Sequence, residues 1–139
     1  MDFHPYLNFD GTCRAAFTWY QGIFGGELTI LGPEVAGGEI PEGFADRVIH
    51  AALVMPSGAL LMASDTQPGE HKTPQGTYVN VATANAEQAR RVWNELAEGA
   101  LSIESPLEEV FFSPAFGVLV DRYGTPWMVS AASPDSPGA

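Results

Sequence analysis

Cysteine and basic residues are both scarce in this 139-residue chain. Cys13 is the single cysteine, so no disulfide can form within the chain, and a reducing cytoplasmic location is predicted. Six lysine and arginine residues stand against seventeen aspartate and glutamate residues, which gives a formal net charge of −11. The basic residues are Arg14, Arg47, Lys72, Arg90, Arg91 and Arg122. They are too scattered to follow a phosphate backbone, so nucleic acid is not an expected partner.

Long apolar runs are missing as well. The longest is far below the roughly 18 residues that a membrane helix needs, so no membrane span is predicted. The first five residues, Met-Asp-Phe-His-Pro, lack the basic and then apolar order of a secretory signal. We therefore expect no membrane partner and a protein that stays where it is made.

Several familiar catalytic motifs are also absent. The chain has no G-x-S-x-G elbow, no P-loop, no dinucleotide-binding glycine fingerprint and no C-x-x-C pair. Hydrolase, nucleotidase, dehydrogenase and thioredoxin-type chemistry therefore gain no support from the sequence.

The residues that are present predict one compact globular domain with two helices. Hydrophobic residues make up 45% of the chain and charged residues 17%, which is typical of a globular protein. Apolar residues recur at helical spacing from about Thr12 to Phe24, and again from Asn85 to about Gly99. In the second helix Asn85 is placed to cap the first turn while Gln88 reaches back.

The remaining apolar segments predict eight strands, punctuated by turn residues. The predicted strands are Phe3–Phe9, Glu27–Leu31, Arg47–Met55, Ala59–Ser64, Tyr78–Thr83, Ser102–Glu108, Phe116–Asp121 and Trp127–Ala131. The order is β-α-β-β-β, twice. We predict a single domain over 1–139, with module one at 1–65, a linker at 66–76, module two at 77–132 and a tail at 133–139.

An internal repeat supports the division into two modules. Tyr6-Leu-Asn-Phe9 aligns with Tyr78-Val-Asn-Val81 at a separation of 72 (from 6 to 78), and Trp19 aligns with Trp93 at 74 (from 19 to 93). The segment from Gly58 to Ser64 aligns with the segment from Gly124 to Ser130 at 66 (from 58 to 124). Chance likeness between turn-strand segments remains the alternative.

Several segments together resemble one family. They are Tyr6-Leu-Asn-Phe-Asp-Gly11, Ala16-Phe-Thr-Trp-Tyr20, Phe24-Gly-Gly26, His50-Ala-Ala-Leu53, Leu61-Met-Ala-Ser-Asp65 and Phe116-Gly-Val-Leu-Val-Asp-Arg-Tyr-Gly-Thr-Pro-Trp127. In this order they resemble the PhnB-like branch of the glyoxalase/bleomycin-resistance, or vicinal oxygen chelate, superfamily. The resemblance implies an α+β fold in which two βαβββ modules form curved mixed sheets around a cleft, commonly as a homodimer.

The same resemblance implies where a metal would bind. Members of the superfamily hold a divalent metal with His and Glu side chains on the first and last strands of each module. Those positions fall here on His4, Gly76, Met62 and Met128, of which only His4 is a suitable ligand. We therefore expect no metal and no other cofactor. Some members of the branch carry a demethylubiquinone-methyltransferase label, but no glycine-rich adenosylmethionine loop follows the first strand.

Three polar side chains are candidate catalytic groups. His50 lies mid-strand and is either a packed histidine or an acid-base group, because imidazole titrates near neutral pH. Asp65 follows a strand, where it either caps a turn or orients His50. Cys13, near the start of the first helix, is either a buried inert thiol or one whose pKa the helix dipole lowers.

The predicted ligand-binding residues combine aromatic, methionine and hydroxyl side chains, which suit an apolar small molecule. They are His4, Tyr6, Met62, Ser64, Phe112, Trp127 and Met128. Three functions stay open: a metal-free small-molecule-binding protein, an enzyme of the same fold using His50 or His4 as acid-base group, and an interaction module without a ligand.

Overall fold

The computed structural model describes residues 1–133 and divides into two compact units. The first unit is Met1–Lys72 and the second begins at Thr73, so their boundary lies inside the predicted linker. Apart from Ser133, the predicted tail lies outside the described residues. No helix in the described part of the chain is long and apolar enough to cross a membrane.

The first unit contains one helix and a four-stranded sheet. Its elements are β1 Tyr6–Phe9, α1 Cys13–Phe24, β2 Glu27–Leu31, β3 His50–Val54 and β4 Leu60–Asp65, with a short 3-10 helix at Pro33–Ala36. The strand order is β1-β4-β3-β2. The β1 strand runs parallel to β4, whereas β2 and β3 pair antiparallel with their neighbours.

The second unit repeats this plan. Its elements are β5 Val79–Thr83, α2 Ala86–Leu96, β6 Ser102–Val110, β7 Ser113–Val120 and β8 Pro126–Ala131. The strand order is β5-β8-β7-β6, again with one parallel pair, β5 with β8. The predicted α+β fold with two mixed four-stranded sheets is therefore confirmed.

All ten predicted helices and strands are present, and the differences lie at their ends. The largest are starts at Tyr6 rather than Phe3, at His50 rather than Arg47, and at Ser113 rather than Phe116. Element ends are set by pairing with a neighbouring strand, and apolar patterning alone does not report that pairing.

Each helix buries one apolar stripe against its own sheet. In α1 the buried residues are Cys13, Ala16, Phe17, Tyr20 and Ile23, and in α2 they are Ala89, Val92, Trp93 and Leu96. The predicted cap of α2 is confirmed, because Asn85 Oδ1 accepts from Gln88 N at 2.8 Å and Gln88 Oε1 accepts from Ala84 N at 2.8 Å. These caps satisfy backbone donors that a helix start leaves unpaired.

Trp19 and Trp93, which are aligned in the repeat, differ in burial, because Trp93 is 8% exposed and Trp19 is half-buried. Tyr20 is fully buried whereas Trp19 is only half-buried, stacked beside Tyr20 with ring centroids 5.6 Å apart. In α1 the core aromatic residues are therefore Phe17 and Tyr20 rather than Trp19. One residue corresponds to about 100° around a helix, so a shift of one carries an aromatic side chain from the core face to its flank.

The strand register also corrects the alignment of the first strands in the internal repeat. Tyr6 lies opposite Met62, and Asn80 lies opposite Met128. Met62 and Met128 keep the predicted separation of 66, but the first strands are related by 74 (from 6 to 80) rather than 72. The position equivalent to His4 is therefore Tyr78, not Gly76.

Candidate functional site

Each sheet has one face covered by its helix and one open face. Alternate residues of a strand point to opposite faces, so buried Leu53 and Ala63 face α1 while their neighbours face the open side. The open face of the first sheet is formed by Tyr6, Asn8, Glu27, Thr29, Leu31, His50, Ala52, Val54, Leu60, Met62 and Ser64, with Glu27 at the edge strand. Its centre is apolar, with the half-buried Met62 between Tyr6 and Ala52.

Two of the predicted site residues meet on this face. Tyr6 on β1 and His50 on β3 flank the intervening strand β4, and the Tyr6 hydroxyl lies 3.2 Å from His50 Nδ1. Their ring centroids are 5.8 Å apart. The pair therefore forms a polar bridge over the strand that carries Met62.

A second polar pair lies at the same face. Ser64 Oγ donates to Asn8 Oδ1 at 3.4 Å, and the two residues are opposite in register. The predicted residues Tyr6, Met62 and Ser64 thus share one face. His4 lies two residues before β1 with its side chain exposed to solvent.

The open face of the second sheet is centred on Met128. It lies between Asn80 on β5 and Val118 on β7. Ser130 Oγ donates to Asn80 Oδ1 at 3.1 Å, and Phe116 is opposite Ser130. As in the first unit, a methionine is bordered by a hydroxyl and an aromatic ring.

A longer bridge crosses this second face. The Tyr78 hydroxyl donates to Glu104 Oε2 at 2.8 Å, although these residues belong to opposite edges of the sheet, next to β5 and on β6. Neighbouring strands are about 4.8 Å apart, so three intervals would separate the edges of a flat sheet by about 14 Å. The two long side chains therefore reach towards each other over the two intervening strands. The pKa of Tyr78 is raised by the hydrogen bond to Glu104 and then by the Glu104 charge.

Phe112 lies at the turn between β6 and β7, away from the centre of the face. It is 51% exposed, next to the fully exposed Phe111, and its ring centroid is 5.0 Å from that of Phe116. A shallow groove runs beside this turn, lined by Val110, Phe112, Ser113 and Pro114 among others. Phe112 thus borders the second face through Phe116.

Trp127 is on the covered side of the second sheet, which corrects the prediction that it binds ligand. It is 1% exposed, and its indole Nε1 donates to Asp121 Oδ2 at 2.8 Å. Since Met128 follows it directly in β8, the two side chains point to opposite faces. The Trp127 ring is part of the hydrophobic core.

Asp65 is likewise structural, and its predicted pairing with His50 is not formed. Asp65 Oδ1 accepts from Gly11 N at 2.8 Å and Cys13 N at 3.1 Å, while Oδ2 accepts from Val48 N at 2.8 Å. Asp65 faces the covered side of β4, whereas His50 faces the open side. The alternative reading of Asp65 as a capping residue is the one that the structure supports.

Cys13 is the buried inert thiol rather than the reactive one. It is fully buried, and its backbone N–H is bound by Asp65. Burial and, secondly, the Asp65 charge raise the pKa of the Cys13 thiol to about 12. A thiol of this kind is a poor nucleophile near neutral pH.

The residues at the superfamily's metal positions do not fit a divalent metal. After the register correction these positions hold His4, Tyr78, Met62 and Met128, and the Tyr78 hydroxyl is already bonded to Glu104. Divalent metals of borderline or hard character prefer imidazole and carboxylate ligands to thioethers. Within residues 1–133, no three His, Cys, Asp or Glu side chains form a group able to hold a metal ion.

Two further polar residues were not predicted from the sequence. Glu104 bonds Tyr78 across the second face, but nothing in its local pattern distinguishes it from the other acidic residues of β6. Asp121 is fully buried and accepts from Tyr123 N, Thr125 N and Trp127 Nε1. Its position two residues before Tyr123-Gly124 is a recognisable turn signal.

Comparison with known proteins decides the family. A sequence model of the family described as 3-demethylubiquinone-9 3-methyltransferase matches residues 1–130. The chain belongs to this family. Protein PA1353 from Pseudomonas aeruginosa is 36% identical with a TM-score of 0.84, over 94% of this chain and 97% of that one. Protein YjdN of Escherichia coli (strain K12) is 29% identical over 94% of this chain and 95% of YjdN.

Solved structures of other proteins share the fold of this chain. A PhnB protein from Bacillus cereus is 25% identical with a TM-score of 0.74, over 95% of this chain and all of that one. A glyoxylase/bleomycin resistance protein/dioxygenase domain from Frankia sp. EAN1pec shares the fold, with a TM-score of 0.66 at 16% identity over 98% and 94% of the chains. The resemblance found in the sequence is therefore confirmed for family and fold.

Proposed function

We propose that this family member is a metal-free small-molecule-binding protein whose ligand lies on the open face of the first sheet. The observation that carries the proposal is the bridge between the Tyr6 hydroxyl and His50 Nδ1 over the strand bearing Met62. The bridge is exposed to solvent, so a ligand can reach both its polar atoms and the apolar strip beneath it.

The composition of this face favours a ligand that is mostly apolar and carries one hydrogen-bonding group. Met62, Ala52 and Leu60 supply a floor without charge, and the flexible Met62 thioether adapts to ligand shape. Tyr6 and His50 supply a hydroxyl and an imidazole at one end. Sites of this kind typically bind by apolar contact and orient by a few polar groups.

The proposal is tested with indole and 4-methylphenol as probes, by isothermal titration and thermal shift on the full chain. At least one probe should bind and raise the melting temperature. Tyr6→Phe removes one hydrogen-bonding group and should weaken 4-methylphenol by about 1 kcal/mol, or roughly fivefold. Tyr78→Phe makes the same chemical change on the second sheet and is the matched control.

The site on the first sheet is rejected if neither probe binds, or if Tyr6→Phe and Tyr78→Phe affect binding equally. Met62→Glu offers a second variant, since it places a carboxylate on the apolar floor and should abolish binding of both probes. Absence of any binding would favour the alternative of an interaction module without a ligand.

A second candidate function is an enzyme that uses His50 as its acid-base group. The observation in its favour is that Tyr6 holds Nδ1, while the described residues make no hydrogen bond to Nε2. If Tyr6 donates to Nδ1, Nε2 carries the proton; if Nδ1 donates to Tyr6, Nε2 is a base. Turnover of a bound compound that is abolished by His50→Ala would support this function, and unchanged turnover would reject it.

We further propose a cytoplasmic homodimer. The single cysteine is buried and makes no disulfide, so nothing in the chain requires an oxidising compartment. Neither open face is covered by a helix of its own unit, and a second copy can pack beside such a face. Light scattering at micromolar concentration should give about twice the chain mass of 14.8 kDa; a mass equal to one chain would contradict the dimer.

A further inference from the structure

The second sheet carries acidic charge and no basic charge. Its four strands contain no lysine, arginine or histidine, whereas β6 contains Glu104, Glu108 and Glu109. The arginines of this unit lie elsewhere: Arg90 and Arg91 belong to α2, and Arg122, in the turn after β7, donates to the Glu98 carbonyl at 2.9 Å. The open face is therefore not neutralised by any cationic side chain of its own sheet.

Aromatic rings lie on this face together with the carboxylates. The ring of Tyr78 reaches across the face to Glu104, and Phe116 stands opposite Glu108 in register. Beneath them are Met128 and Val118, which are half-buried and 8% exposed respectively. Carboxylate, aromatic ring and apolar floor are thus brought to one face of the sheet by strands distant in sequence.

The Glu104 carboxylate has a neutral partner where a cation would interact more strongly. Its described hydrogen bond comes from the Tyr78 phenol, and the raised pKa of Tyr78 keeps that phenol protonated. An ammonium group beside the same carboxylate gains a full charge-charge attraction, and the face of an aromatic ring attracts it further. The net charge of −11 adds a long-range attraction for cations.

We propose that the open face of the second sheet is a binding site for a small organic cation, an alkylammonium compound, with Glu104 as counter-charge and Tyr78 and Phe116 as aromatic walls. The alkyl groups lie against Met128 and Val118. The hydrogen bond from Tyr78 to Glu104 closes the empty site and opens when the cation binds. This site is separate from the one proposed on the first sheet and does not depend on it.

The test compares the binding of choline with that of its neutral isostere, 3,3-dimethylbutan-1-ol. Isothermal titration and amide chemical-shift mapping measure binding to the full chain. Choline should bind at least tenfold more tightly than the isostere. The shifts should centre on Asn80, Val118 and Met128. Doubling the salt concentration should weaken choline and leave the isostere unchanged.

Three variants separate this site from general attraction to an acidic protein. Glu104→Gln should weaken choline at least tenfold, whereas Glu87→Gln, which removes one charge from the exposed first turn of α2, should weaken it less than twofold. Tyr78→Phe keeps the ring and releases Glu104 from its partner, so choline should bind at least as tightly. Circular dichroism checks that each variant is folded.

The proposal is overturned if the isostere binds as tightly as choline, or if Glu104→Gln and Glu87→Gln weaken choline equally. Tyr6→Phe should leave choline binding unchanged. Loss of choline binding in Tyr6→Phe would place the cation on the first sheet instead and would also reject the second-sheet site.

Discussion

The two units share a topology but differ in what crosses their open faces. In the first unit, the side chain of Tyr6 crosses one strand to meet an imidazole on β3. In the second, the side chain of Tyr78 crosses two strands to meet a carboxylate at the far edge. Tyr6 is equivalent by register to Asn80, and Tyr78 to His4, so the two tyrosines are not repeat partners. The comparison teaches that a duplicated backbone can support unlike binding chemistry.

The two units also differ at the position that His50 occupies in the first unit. His50 in the first unit corresponds to Phe116 in the second, at the separation of 66 that relates the last two strands of each unit (from 50 to 116). One unit therefore keeps a titratable group on its face, while the other keeps a ring beside acidic side chains. A matched change in each unit tests whether this difference is functional or only structural.

The largest expected effects come from the two buried carboxylates, Asp65 and Asp121, which each accept at least three hydrogen bonds. Asp65→Ala leaves three backbone N–H groups unpaired, and Asp121→Ala leaves two backbone N–H groups and the Trp127 indole. Each buried donor left unpaired costs about 1–3 kcal/mol, so each variant should lose about 3–5 kcal/mol in urea unfolding.

Asp10→Ala is the control for those carboxylates. Asp10 forms a surface ion pair with Arg47 at 2.8 Å and its side chain is 56% exposed, so its loss should cost less than about 1 kcal/mol. If Asp65→Ala or Asp121→Ala falls within that range, the hydrogen-bond assignment of that carboxylate is wrong.

The helix tryptophans give the next largest difference between the units. Trp93→Ala removes a buried ring from the core of the second unit and should cost about 3–5 kcal/mol. Trp19→Ala should cost only about 1–2 kcal/mol, because part of that ring is already in water. Equal losses in chemical denaturation would contradict the difference in burial between Trp19 and Trp93.

Alanine substitution of Gly117 and of Gly22 should give a smaller difference in stability between the units. A Cβ on Gly117 would lie 2.6 Å from the Trp93 ring, so Gly117→Ala should destabilise the second unit by about 1–3 kcal/mol. Gly22 in α1 has open space around its Cβ position, so Gly22→Ala should stabilise the first unit by up to about 1 kcal/mol. Thermal unfolding measures both changes in stability. If both variants are stabilised, or both are destabilised, the result contradicts the packing of Trp93 on β7.

At neutral pH the smallest effect comes from the buried Cys13 thiol of the first unit, which makes stability depend on pH only in alkaline solution. The pKa of Cys13 is raised from 9.0 to about 12, first by burial, so the folded state holds a proton that the unfolded state releases above pH 9. Stability should therefore fall as pH rises from about 9 towards 12, and below pH 9 this contribution should not vary with pH. Cys13→Ala should reduce the slope; an unchanged slope would show that other groups cause it.

The order of helices and strands could be predicted from the sequence because it depends on local periodicity. Apolar residues at helical spacing identified α1 and α2, and turn residues separated the eight strands. Asn85 and Gln88 form the predicted cap because both partners lie within one turn of each other. The family was recognisable for a related reason, since its segments recur in fixed order along the chain.

The assignment of side chains to faces was predicted only in part. Tyr6, Met62 and Ser64 share a face because alternation along β1 and β4 is a local rule. Trp127 was misplaced because an aromatic residue fits either face of β8, and only its bond to Asp121 shows which one it takes. Asp65 was ambiguous because its three donors come from residues 11, 13 and 48, which only the fold brings together.

The sequence alone determined that this chain forms two βαβββ units, since hydrophobic spacing and turn chemistry act over a few residues. Tertiary structure alone decided that Tyr6 meets His50, that Tyr78 meets Glu104, and that the first strands are related by 74 residues (from 6 to 80). Those contacts join residues 44 and 26 positions apart through the register of the strands. Register is not encoded in a local pattern, because it results from pairing between strands that are distant in the chain.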